Sequence, residues 1–339
     1  MKKILVIQTA FLGDAILTTP LLRGLKEIYP DSQTDILCLP QTKPVFKNNK
    51  NIDGFVIFDK RNRIKKFFSF LKCVKNIRKE KYDLGISIQS SITSSLLMKF
   101  GNIRTKHGFS RQKMLDMSVN HAEVKGAHKI AKILRLLKPF SDKNFDMQTE
   151  LIYSASDDKT VNGLIGDVES FRGKIIAIAP GSVWFTKKWP KEYFIELVKS
   201  LTAEKCKVFI VGGPEDSSLG DEIASSTDAV NLAGKLSLLQ SAALISKCDL
   251  IVTNDSAPLH IANAVKTDVI AIFGPTVRSL GFYPYRKNDI LIELEMECRP
   301  CGKHGGDKCP LGHHNCMKNI KPEAVLNTIS EKIKKGNSE

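Results

Sequence analysis

Short β-branched runs alternate with helix-length amphipathic segments along this chain, and the alternation starts afresh midway. No other feature restricts the fold as much, because strand–helix–strand units pack as parallel sheets with helices on their faces. In the first half, strands read at 3–7, 34–39, 55–58 and 84–88, with helices at 14–29, 60–81, 91–100 and 127–137. In the second half, strands read at 175–179, 207–211, 250–253 and 269–273, with helices at 191–202, 216–225, 238–246 and 257–264. Two strand-first halves predict an α/β protein made of two Rossmann-like domains facing each other across a cleft. The domains are expected at 1–155 and 156–316, joined near the polar stretch 154–174 and followed by a C-terminal helix and tail at 317–339. A chain of 339 residues with 42% hydrophobic content supports two such cores.

Several classes drop out. Disorder and collagen-like order fail on composition, with 22 Gly, 14 Pro and 26% charged residues. No apolar run reaches the roughly 18–20 residues of a membrane-spanning helix. The start, Met1-Lys2-Lys3-Ile4-Leu5-Val6-Ile7, imitates a signal peptide, but Asp14 interrupts the apolar stretch. A buried first strand accounts for it better, and a cytosolic protein is expected.

The net charge of +15 is unevenly placed: residues 1–150 carry 28 Lys and Arg against 13 Asp and Glu, the remainder 23 of each. The first half therefore suits an anionic partner such as a phosphorylated lipid or a membrane surface. It shows no aromatic-interleaved basic face and no known nucleic-acid module, so no nucleic-acid partner is expected. Segment 60–81 concentrates the charge, with ten Lys or Arg and one Glu around Ile64, Phe67, Phe68, Leu71, Val74 and Ile77. It reads as a surface helix with its apolar stripe in the core, as a basic interfacial helix on anionic headgroups, or as both.

Four strand ends carry residues able to do chemistry. In Gln8-Thr9-Ala10-Phe11-Leu12-Gly13-Asp14, Gly13 permits close backbone approach and Asp14 stands at the carboxyl end of the first strand. No G-x-G-x-x-G fingerprint occurs there, which argues against a dinucleotide in this half. Asp14 also reads as a helix cap. In Ala179-Pro180-Gly181-Ser182 with Lys187-Lys188-Trp189-Pro190, small residues and lysines suit a diphosphate, although the spacing is not Walker A; a basic surface loop is the alternative. In Val211-Gly212-Gly213-Pro214-Glu215-Asp216, a carboxylate can accept from ribose hydroxyls or cap a helix. In Asn254-Asp255-Ser256-Ala257-Pro258-Leu259-His260, followed by Phe273-Gly274-Pro275-Thr276, a strand delivers Asp255 and Ser256 to a helix start. His260 follows one turn later, as a site residue or as a buried structural histidine.

Of eight cysteines, Cys38, Cys73, Cys206 and Cys248 are scattered in apolar surroundings. The others, Cys298, Cys301, Cys309 and Cys316, sit close in sequence with His304, His313 and His314 between them. They are expected either to bind a structural zinc or to remain as reduced or redox-labile thiols.

Taken together, FLGDAI, PGS with KKWP, VGGPED, NDSAPLH and FGPT resemble the ADP-heptose:lipopolysaccharide heptosyltransferases, glycosyltransferase family 9, over residues 3–320. The tail from Cys298 to Met317 is most similar to the heptosyltransferase II members. The resemblance implies the GT-B fold and an inverting transfer of heptose from ADP-L-glycero-D-manno-heptose to the lipopolysaccharide inner core. Asp14 would be the general base. Lys187, with Ser182 nearby, would meet the charge developing on the diphosphate. Glu215 would hold the adenosine ribose, and Asp255, Ser256 and His260 would hold the sugar or phosphate end, with Gly13 at the acceptor side. No cofactor or metal is implied for catalysis. The implied partners are the donor, a phosphorylated lipid A core and the anionic inner membrane, placing the protein peripherally on its cytoplasmic face. The rival readings are a related family transferase (heptosyltransferase I or III, or one using another nucleotide sugar), a GT-B-like sugar-nucleotide epimerase and, on the charge of the first half alone, a nucleic-acid-binding protein.

Overall fold

Ile4, Leu5, Val6 and Ile7 have no exposed surface, the mark of a strand covered on both faces. In the computed structural model, which describes residues 2–89, 91–109, 126–166, 168 and 170–336, this strand is the centre of the first of two sheets. The chain divides into two units, Met1–Ile152 and Tyr153–Glu339.

The first unit runs β1 (Lys3–Ile7), α1 (Leu12–Ile16), α2 (Thr19–Ile28), β2 (Gln33–Cys38), α3 (Lys43–Phe46), β3 (Gly54–Ile57), α4 (Arg63–Glu80), β4 (Leu84–Ser87), α5 (Ile92–Phe100), β5 (Thr105–Gly108) and α6 (Lys129–Leu134). All its strands are parallel, in the order β3-β2-β1-β4-β5. Strand order reverses between β1 and β4, which is where open α/β sheets place ligands, beyond the carboxyl ends. Burying Asp35 in β2 is offset by the Tyr82 hydroxyl, which donates to its Oδ2 at 2.6 Å.

The single helix expected over 14–29 is two helices. Pro20 lacks an N–H to continue a helix begun earlier, so α2 starts at Thr19 with the proline in its first turn. Gly13, expected in a turn, consequently lies with Asp14 inside the one-turn helix α1.

The second unit runs α7 (Ala155–Ile165), β6 (Ile175–Ala179), α8 (Lys191–Ala203), β7 (Lys207–Ile210), α9 (Ser217–Ala224), β8 (Val230–Asn231), α10 (Leu238–Ser246), β9 (Leu250–Asn254), α11 (Ala257–Ala264), β10 (Asp268–Phe273), β11 (Ile290–Glu293), α12 (Asn315–Lys318) and α13 (Pro322–Gly336). Its sheet is also parallel, in the order β11-β10-β9-β6-β7-β8, with the switch point between β6 and β9. Each sheet thus has the doubly wound order of a Rossmann unit.

Two helices lie near the expected boundaries. The polar stretch after 154 is not a bare junction: Ser154 and Asp157 form a reciprocal capping box that starts α7, whose Val161 and Ile165 are buried. Val325 and Ile329 of the C-terminal helix α13 belong to the same core as Ile176, Val198 and Ile270. No helix among the described residues is long and apolar enough to cross a membrane.

Candidate active site

In the second unit, β6 is buried throughout and ends at Ala179, so the following loop starts from a rigid base. Asn254, fully buried at the end of β9, holds this loop at both ends. Its Nδ2 donates to the Pro180 carbonyl at 2.8 Å, and its Oδ1 accepts from the Trp189 N–H at 3.2 Å. The Trp189 indole N–H donates to the Ile320 carbonyl at 2.8 Å, anchoring the loop's far end to the core.

Between those anchors the chain makes one 3-10 turn, Phe185–Lys187. Thr186 is clasped by the tail segment: its N–H donates to the Gly306 carbonyl at 3.0 Å, and its Oγ1 accepts from the Gly306 N–H at 2.8 Å. The His314 Nε2–H donates to the Thr186 carbonyl at 2.8 Å. The Lys187 backbone is thereby fixed, and its ammonium lies 2.6 Å from Oδ2 of Asp255, with side-chain exposures of 13% and 8%. Thr276, after β10, donates its hydroxyl to the same oxygen at 2.6 Å. Three strand-end loops, after β6, β9 and β10, therefore meet at one buried ion pair beside the switch point. A preorganised ammonium in such a place can take the charge of an anion at little reorganisation cost.

The remaining second-unit candidates follow β6, β7 and β9. Ser182 is half-buried just after β6. Ser256 precedes α11 but does not cap it, its Oγ lying 3.3 Å from the Thr253 hydroxyl. His260 is buried on α11, its ring centroid 6.5 Å from that of Phe282. Glu215 is exposed in the turn after β7, whereas neighbouring Asp216 turns inward and accepts from the Gly213 N–H at 3.0 Å. Burial raises the Asp216 carboxyl above its ordinary value, opposed by the Gly213 N–H, raised further by Glu215 and opposed by Lys188. A Cβ added at Gly181 would meet the Asp216 Oδ1 at 2.0 Å, so any side chain there must push that carboxylate aside.

In the first unit, buried Gln8 organises the turn after β1. Its Nε2 donates to the Asp14 carbonyl at 3.0 Å and to Thr18 Oγ1 at 2.7 Å, while its Oε1 accepts from the Ala10 N–H at 3.0 Å. Asp14 is thus presented from the first turn of α1 by a pinned backbone. Two lysines lie at this turn, Lys129 toward Asp14 and Lys60 on the Thr9 backbone. Lys129 opens α6: burial lowers its ammonium below the ordinary lysine value, and the Asp14 carboxylate pulls it back up. Lys60 donates to the Thr9 carbonyl at 2.7 Å. Gln8 was the legible signal, an amide at the end of a fully buried apolar strand. The lysines had none, because their approach depends on how the chain folds back.

The zinc alternative for the cysteine cluster is not supported. Among the described residues no group of three or more His, Cys, Asp or Glu is placed to hold a metal ion. The donors are engaged otherwise: Cys301 Sγ lies 3.1 Å from the Cys298 carbonyl, His313 Nδ1 accepts from the Asn315 N–H at 3.0 Å, and His314 holds Thr186. Cys316 is buried, and burial followed by the charge of Cys301 pushes its thiol up to about 11. Burial raises Cys309 too, but the N–H groups of His314, Leu311, Gly312 and His313 outweigh it and hold that thiol below its ordinary value. What the segment does in this fold is fix the Lys187 loop. Arg299 strengthens it, donating to the Gly274 and Leu294 carbonyls, to the Thr276 carbonyl at 2.7 Å and to Glu293 at 2.7 Å.

The comparisons agree with this architecture. The family model described as glycosyltransferase family 9 (heptosyltransferase) matches residues 70–310. A lipooligosaccharide heptosyltransferase 2 of Campylobacter jejuni is 28% identical over 337 residues, covering 97% of this chain and 98% of that protein. Among solved structures, a family 9 glycosyl transferase of Veillonella parvula superposes with a TM-score of 0.88 at 22% identity, over 98% of each chain. The ADP-heptose lipopolysaccharide heptosyltransferase II of Escherichia coli superposes with a TM-score of 0.79 at 23% identity, over 99% of this chain and 100% of that one. The fold is that of the GT-B glycosyltransferases, and the chain belongs to glycosyltransferase family 9, the heptosyltransferases.

Proposed function

We propose that this protein transfers heptose from ADP-L-glycero-D-manno-heptose to the lipopolysaccharide inner core with inversion, as a heptosyltransferase II-type enzyme acting on heptosyl-Kdo-lipid A. The observation that carries the reading is the Lys187–Asp255–Thr276 cluster where the loops after β6, β9 and β10 converge. The first unit takes the acceptor, in keeping with its surplus of basic residues, and the second takes the nucleotide sugar.

In the proposed reaction, Asp14 removes the proton of the acceptor hydroxyl as its oxygen bonds to the anomeric carbon. The bond from that carbon to the diphosphate breaks on the opposite face, inverting the centre. ADP leaves as a stable anion, so no second carboxyl acid is needed. Lys187, with Ser182, neutralises charge developing on the diphosphate. Asp255 then exchanges its hold on Lys187 for heptose hydroxyls, with Ser256 and His260 at the same end, while Glu215 reaches the ribose. Gly13 leaves room beside Asp14 for the acceptor. The proposed reaction uses no metal or cofactor.

With a lipid-linked acceptor the protein would work peripherally at the cytoplasmic face of the inner membrane, and no helix among the described residues is long and apolar enough to span it. The test is release of ADP from ADP-heptose with and without a heptose-deficient core acceptor. Acceptor-dependent release with a matching mass gain on the lipid supports the reading. ADP binding without transfer to any core acceptor refutes the assigned sugar, and donor turnover without acceptor points to the epimerase class.

A further inference from the structure

We propose that the outward face of α4 docks this protein on an anionic lipid bilayer, with Ile64, Phe67, Phe68 and Leu71 entering between the headgroups. The inference deepens the membrane-surface reading above and names the structure that performs it.

The apolar stripe read from the sequence does not stay together. Cys73 and Ile77 are buried, and Phe70 and Val74 pack beside them on the core under β1 and β2. Ile64, Phe67, Phe68 and Leu71 face outward instead, 71%, 60%, 65% and 49% exposed. They follow helical spacing, so they form one continuous patch over the first two turns. Phe67 and Phe68 pack edge to face with centroids 5.7 Å apart. Downstream, the same outward face continues as Lys75, Arg78 and Lys79, with Lys65 and Lys72 along one flank, all exposed. The helix holds one acid, Glu80, and Lys3 neutralises it at 2.9 Å. Asn62 caps the N-terminus and Lys81 closes the C-terminus in a left-handed conformation, so the whole helix is defined to its ends.

A helix buried on one side, apolar at one end of its free face and cationic at the other, matches the boundary between acyl chains and anionic headgroups. Charge chooses among occupants. A second copy would bring two cationic faces together and repel. Single-stranded nucleic acid stacks on parallel open aromatic faces, whereas here the edge of one ring meets the face of the other, beside aliphatic Ile64 and Leu71. Hydrocarbon beneath a negative surface satisfies both halves of the face.

The test uses the full chain and co-sedimentation with vesicles of phosphatidylcholine containing about a third phosphatidylglycerol, against pure phosphatidylcholine. The wild type should bind the anionic vesicles at moderate salt and release them as salt rises. Phe67→Ser with Phe68→Ser should weaken partition at least tenfold. Lys72→Gln with Lys75→Gln and Lys79→Gln should weaken it about a hundredfold, at about fivefold per charge. Phe68→Trp should gain emission that brominated acyl chains quench. All these variants lie outside the transfer machinery, so ADP binding and transfer to a delipidated core oligosaccharide should match wild type. That readout separates failure of this inference from failure of the proposed function. Unchanged vesicle binding by the Phe variant overturns the proposal. So does a self-association abolished by the same variant, or a preference for single-stranded RNA over anionic vesicles.

Discussion

Deleting the Asp255 carboxylate strands the Lys187 ammonium where its side chain is only 13% exposed. Breaking a buried pair by removing one partner costs about 3–5 kcal/mol, because the remaining charge keeps its desolvation penalty. Lys187→Ala should cost less, about 1–3 kcal/mol, since Thr276 still donates to Asp255 at 2.6 Å. Removing both charges relieves the penalty, so the double variant should lose less than the sum by about 0.5–3 kcal/mol. The assay is built into the chain. Its two tryptophans, Trp184 and Trp189, flank Lys187, so their fluorescence in a urea titration follows the unit that carries the pair. With a slope of about 2–3 kcal/mol per molar urea, Asp255→Ala should lower the midpoint by about 1–2 M. Equal, additive losses from the two single variants would refute the reasoning, and would make the contact a solvent-screened pair of little consequence.

Three further outcomes follow from the geometry. Asp14→Asn should reduce transfer by about 10²–10⁴-fold while ADP affinity, measured by calorimetry, stays near wild type; a parallel loss of both would mean that Asp14 serves the fold. Gly181→Ala forces the Asp216 carboxylate aside and should cost about 1–3 kcal/mol of stability, partly recovered with Asp216→Ala, and no recovery would place the strain elsewhere. A thiol held low ionises at lower pH, so Cys309 should be the first cysteine alkylated by iodoacetamide near neutrality, as read by peptide mass spectrometry. Cys38, pushed up to about 12, and Cys73, pushed up to about 11, both chiefly by burial, should be the slow ones, and the reverse order would contradict the backbone cradle around Cys309.

Much of the fold was legible because parallel strands covered on both faces leave continuous apolar runs. The runs at 3–7 and 175–179 became β1 and β6 without a shifted residue. Edge strands leave no such mark. β5 reads Thr-Lys-His-Gly, β8 is two residues, and β11 is half-buried along its length, so none stood out. α7 was hidden by its polar face, although its capping box was in plain view. Of the candidate site, the strand-end positions of Asp14, Ser182, Asp255 and Ser256 followed from the pattern, since loops at strand carboxyl ends are where α/β folds bring side chains together.

What the sequence by itself determined was therefore the class of architecture, the strand ends that carry polar groups and the one-sided charge. These depend on residue types at local spacing. Tertiary structure alone decided which groups meet: Asn254 on a carbonyl 74 residues away, His314 on Thr186 across 128, and Lys129 beside Asp14. It also decided which half of the α4 stripe faces the core. Those pairings come from packing separate layers against one another, and no local periodicity encodes them.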